Sequence, residues 1–124
     1  MSSTMNSPSW DPALDAVVAA PANHIVLFEN DRLRVLEVIL NPGEEEPVHH
    51  HQWPSVFVFD QIKGPIHDMA ADGTELPPNR DVMQAIKAWN GHGCLVVHMQ
   101  PQPAGRVLND SDLQLHGIRI EMKV

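Results

Sequence analysis

The chain has 124 residues, enough for one domain with its own core, and a single cysteine, Cys94, which has no partner for an internal disulfide and fits a reducing compartment. A formal net charge of −8 argues against nucleic-acid partners and anionic membrane surfaces. No apolar run is long enough to span a bilayer and no basic, then apolar leader opens the chain, so the cytoplasm is the expected compartment.

Met1 to Ser9 is polar and reads as a loose arm. Asp11-Pro12 opens a short helical segment, DPALDAVVAA, with Leu14, Val17 and Val18 on one face and Pro21 as its stop. The domain proper is expected over residues 20–124, after an arm with a short helix over 1–19. His24 to Phe28 (HIVLF) is a short β-forming run, and Glu29-Asn30-Asp31 is a turn. Arg32 to Leu40 (RLRVLEVIL) carries apolar residues on both parities, which predicts a strand buried on both faces or lining a barrel. Whether Arg34 and Glu37 point to solvent or inward is left open by the pattern.

Ser55 to Asp60 (SVFVFD) is the next strand, followed by the Gly64-Pro65 turn and a short strand over Ile66 to Met69. Asp72-Gly73 is a hairpin signal. Asp81 to Trp89 (DVMQAIKAW) fits a helix by periodicity and a strand by length. Leu95 to Met99 (LVVHM) is a strand, and Gln100 to Gly105 reads as a proline-rich loop. Arg106 to Asn109 and Leu113 to Val124 read as the two arms of a hairpin, the second placing His116, Ile118, Ile120 and Met122 on one face and Arg119 and Glu121 on the other. Short strands punctuated by eleven prolines and seven glycines predict an all-β sandwich or barrel.

The chemistry concentrates in Gly43 to Asp60, GEEEPVHHHQWPSVFVFD. In an extended chain His49, His51, Trp53, Ser55, Phe57 and Phe59 share a face, and His50 with the other even-numbered residues faces away. Two imidazoles converging from one strand suit a metal site or a proton-transfer pair. Glu44-Glu45-Glu46 reads as a solvated acidic turn that favours the charged form of nearby histidines. Trp53, Ser55 and Phe57 are the expected ligand-pocket residues.

These residues resemble the cupin family. Its first motif, G-x5-H-x-H-x3-E, is matched by Gly43, His49 and His51, with Ser55 where the family has glutamate. Its second, P-x-G-x2-H-x3-N, is matched at its close by Asn109, with Gly105 at the histidine position. The resemblance spans roughly Ala20 to Val124 and implies a double-stranded jelly-roll barrel whose lumen holds a divalent metal: iron, zinc, nickel or manganese. Only His49 and His51 carry over as ligands. If Asp110-Ser111 is a two-residue turn, Gly105 lies opposite His116, and His116 becomes the expected third ligand. The resemblance implies a lumen site for a small organic ligand, with oxygenase, isomerase or lyase chemistry. The alternatives are metal-free acid–base chemistry on His49 and His51, or a non-catalytic binding module that has lost the full site. It also implies a homodimer, for which HIVLF and the helical segment before it are the candidate interface.

Overall fold

The computed structural model describes residues 10–124; the expected arm over Met1 to Ser9 lies outside them. Eight strands follow one another as β1 (His24–Glu29), β2 (Leu33–Leu40), β3 (His49–His51), β4 (Ser55–Gln61), β5 (Ile66–Ala70), β6 (Leu95–Met99), β7 (Gln102–Asn109) and β8 (Leu115–Met122). They form a five-stranded sheet in the order β1-β2-β8-β4-β6 and a three-stranded sheet in the order β3-β7-β5. Every strand pairing is antiparallel, as the jelly-roll expectation requires.

The core lies on the inner face of the larger sheet, where Leu36, Val38, Leu40, Phe57, Phe59, Leu95, Val97, Met99 and Leu115 are buried together. β2 alternates strictly: its even residues, Arg34 included, point inward, and Glu37 points outward. β8 alternates too, but against the usual polarity. Leu115, Gly117, Arg119 and Glu121 are the buried set, and the mostly apolar parity, His116, Ile118, Ile120 and Met122, faces outward.

The expected terminal hairpin does not form. β7 pairs with β3 and β5, whereas β8 pairs with β2 and β4, so the link after Asn109 crosses from one sheet to the other. Asn109 pins this crossing. Its Nδ2 donates to the carbonyls of Leu40 and Leu113, 2.9 Å each, and its Oδ1 accepts from the Ser111 hydroxyl at 2.7 Å. The proline-rich segment before it is the start of β7, on the smaller sheet.

The helical segment after Asp11 breaks at Asp15 into a 3-10 turn, Pro12–Leu14, and one short helix, α1 (Ala16–Ala19). Asp15 is extended because it bridges to His50 and ion-pairs with Arg34. The ambiguous segment is a helix, α2 (Arg80–Ala88). Asn79 Oδ1 caps it by accepting from Val82 N at 3.1 Å, and Asp81 and Lys87 complement its dipole.

Candidate metal centre

β3 sits opposite Gly105 and Gln102 of β7, with an irregularity between His49 and His51. All three of its histidines are buried. His49 and His51 point into the space between the sheets, their ring centroids 5.0 Å apart. His50 has the opposite parity but is not a surface residue. The start of the described chain covers it, with Trp10 edge-on at 5.0 Å and His50 Nε2 donating to the Asp11 carbonyl at 2.8 Å.

The third imidazole is His24, not His116. His24 opens β1 opposite Val38, whose side chain is inward, and therefore shares its face. Its ring centroid lies 4.7 Å from that of His49 and 5.3 Å from that of His51. One nitrogen from each of the three rings lies within 4.8 Å of the others. The family's histidine position is closed to a side chain: a Cβ on Gly105 would come within 2.7 Å of the Met69 carbonyl oxygen. His116 is on the outer face of β8, where its two nitrogens meet Asp60 Oδ1 at 2.6 Å and Glu37 Oε2 at 2.7 Å.

The hydrogen bonds decide which nitrogen each ring presents inward. His24 Nδ1 donates to the Ala20 carbonyl at 3.0 Å, and His49 Nδ1 to the Pro47 carbonyl at 2.8 Å. His51 Nδ1 donates to Glu121 Oε2 at 3.0 Å. Carbonyls and carboxylates only accept, so each Nδ1 carries the proton and each Nε2 keeps a free lone pair. Oxygen acceptors behind metal-binding imidazoles set tautomer and ring orientation in this way. Burial also holds the rings neutral. It pushes His24 down to about 3, lowers His49, and places His51 well below its usual range, with the Arg119 charge adding to the shift of His51. Three neutral, pre-oriented imidazoles fit a divalent transition metal.

Glu46 is the acidic member of the group. It is buried instead of solvated: its backbone N donates to Val107 at 3.1 Å, and its carboxylate oxygens lie 3.8 Å from His24 Nε2 and 3.6 Å from His49 Nε2. Burial pushes its carboxyl up to about 8, against the pull of Arg119. The acidic turn therefore does not charge the histidines; desolvation outweighs it, and the carboxyl itself holds the proton.

Ser55 sits where the family motif has glutamate. It lies directly opposite Glu121 across the β4–β8 ladder, both fully buried. The small serine leaves room for Glu121, which supports His51 from behind and accepts from Arg34 Nε at 2.6 Å. Arg34 completes its pairing with a two-pronged contact to Asp15, at 2.7 and 2.9 Å. These hydrogen bonds outweigh burial and raise its pKa. Arg119, inward from β8, is also buried, and burial lowers it to about 10.

The three imidazoles and Glu46 line one end of a cavity of about 820 Å³. Its walls come from the inner faces of both sheets, and α2 with Trp89 borders it. Of the expected pocket residues only Phe57 lines it, stacked on Phe59 at 3.9 Å. Trp53 lies instead beneath the Arg34 guanidinium, 5.1 Å from its ring centroid, and Ser55 is walled off. His24, Glu46 and Arg119 were not singled out as site residues in the sequence. The one visible signal was the charged parity of β8, which the polar-outside rule assigns to solvent.

The chain is similar to solved structures of cupin-domain proteins. A cupin domain from Bordetella pertussis Tohama I aligns with a TM-score of 0.58 and 22% identity, over 82% of this chain and 92% of that one. A cupin-like protein from Thermotoga maritima gives 0.47 and 17%, over 82% and 66%, and an RmlC-like cupin from Methanocaldococcus jannaschii gives 0.47 and 14%, over 95% and 92%. The chain matches no protein-family model and no curated protein. At these identities the likeness shows the fold: an all-β, cupin-type jelly roll.

Proposed function

We propose that this cupin-fold protein is a metal-dependent enzyme acting on a small organic ligand, with one divalent metal, iron, zinc, nickel or manganese, held by His24, His49 and His51. The observation that carries the reading is the shared orientation of the three rings, each Nδ1 tied to an oxygen and each Nε2 free. Three protein ligands leave coordination positions open to a ligand, the pattern of catalytic sites. When bound, such a metal supplies Lewis acidity to an oxygen of the ligand. Glu46 is the proton-transfer group. Its carboxyl is protonated in the metal-free site, and as a carboxylate it is a base within 3.8 Å of two ligand nitrogens.

Metal content by inductively coupled plasma mass spectrometry on tag-free protein tests this. Near-stoichiometric metal is expected in wild type and in His116→Ala, and its loss in His24→Ala, His49→Ala and His51→Ala. Wild-type protein that stays metal-free after reconstitution with each of the four metals would overturn the reading.

We also propose that β1 pairs with the β1 of a second copy. β1 is an edge strand, and Ile25, Val26, Leu27 and Phe28 are between 41% and 54% exposed, beside Val18 on α1. Sedimentation at micromolar concentration is expected to show a dimer, and Phe28→Lys a monomer. A wild-type monomer would refute the pairing. No helix among the described residues is long and apolar enough to cross a membrane.

A further inference from the structure

Two arginines point inward from neighbouring strands, and their surroundings differ. Arg34 is paired with two carboxylates: Asp15 and Glu121 take three of its N–H groups at 2.6 to 2.9 Å. Arg119 is only 3% exposed, yet no carboxylate among the described residues lies within 4 Å of it. Its one hydrogen bond there runs from Nη2 to Gln102 Oε1 at 2.7 Å, and Nε has no partner. A guanidinium has five N–H donors, so most of this group's capacity is unused. A buried cation with one neutral partner is costly, and the protein bears that cost on a wall of the cavity that the three imidazoles line.

We propose that Arg119 is the anchor for the carboxylate of the lumen ligand, which is a carboxylic acid with a hydrocarbon body. The walls describe the rest of the molecule. Phe57, which lies opposite Arg119 on β4 with its ring centroid 5.6 Å from the guanidinium carbon, continues into Phe59, Leu40, Leu95 and Met99. That surface returns little to a polyhydroxylated ligand and much to an aliphatic or aromatic one. The planar fork of Arg119 matches a carboxylate with two parallel hydrogen bonds.

This inference deepens the metalloenzyme reading by naming its ligand class, and the test separates the two. Isothermal titration calorimetry compares butyrate, hexanoate, benzoate and phenylacetate, each with its primary amide, on metal-free and on metal-loaded protein. At least one acid is expected to bind about tenfold or more tightly than its amide in both forms, the amide having lost the charge-assisted pair. Arg119→Met is expected to abolish the preference. Arg119→Lys, with far-UV circular dichroism confirming the fold of both variants, is expected to keep part of it. Equal binding of acid and amide across the wild-type panel would overturn the anchor, as would a preference that survives Arg119→Met. A preference present in protein that never takes up metal would keep the anchor and discard the metal.

Discussion

Metal loading of this site is predicted to release about one proton, and that proton comes from Glu46, not from the histidines. With its carboxyl at about 8, Glu46 is close to fully protonated at pH 6, about 0.9 protonated at pH 7 and about 0.1 protonated at pH 9. A divalent cation beside it favours the carboxylate, so the proton leaves on loading. The three histidines, their pKa values lowered by burial, contribute less than free imidazoles would. Three unperturbed imidazoles with an ordinary glutamate would instead release about 2.3 protons at pH 6. Calorimetric titration with zinc, in pairs of non-coordinating buffers with different ionisation enthalpies, counts the protons. The expected value is about 1 at pH 6, where a metal-bound water keeps its proton, and Glu46→Gln is expected to remove most of it. Two or more protons at pH 6, or a count unchanged by Glu46→Gln, would refute the electrostatic reasoning.

The same shift dictates the stability of the metal-free protein. The folded state keeps the Glu46 proton to about 8, whereas the unfolded chain loses it near 4.5. Its contribution is therefore full below 4.5 and is lost as pH rises through 8. His24 has the opposite sign: its contribution is full above 6.5 and is lost as pH falls through about 3. From pH 6.5 to 8 the Glu46 slope is unopposed by His24, and urea titrations are expected to show a loss of about 2 kcal/mol in wild type relative to Glu46→Gln. Two core predictions are independent of the metal. Asn109→Ala strips the Leu40 and Leu113 carbonyls of their partner and is expected to cost about 2–4 kcal/mol, read from the urea midpoint. Gly117→Ala would place a Cβ 2.5 Å from the Phe57 ring and 2.6 Å from the Val58 carbonyl oxygen, at an expected cost of about 1–3 kcal/mol in the same assay.

The local pattern of the chain determined much of the scaffold. Short β-forming runs bounded by turns marked β2, β4 and β6, alternation marked β8, the Gly43-x5-His49-x-His51 spacing put two imidazoles on one face, and the match at Asn109 fell on the residue that pins the sheet crossing. Those features depend on period and turn chemistry, which neighbouring residues carry. The rest depended on which strands meet. Arg106 to Asn109 and Leu113 to Val124 look like hairpin arms, but a short link can equally carry the chain to another sheet, and that choice removed His116 from the site. His24 entered it only because β1 pairs with β2 in a register that sets His24 beside inward Val38. Arg119 and Glu121 face inward because the lumen supplies His51 and Arg34 as partners for Glu121 and an open cavity wall for Arg119. A strand's period separates its two faces but does not say which one is buried; only the packing of distant strands decides that.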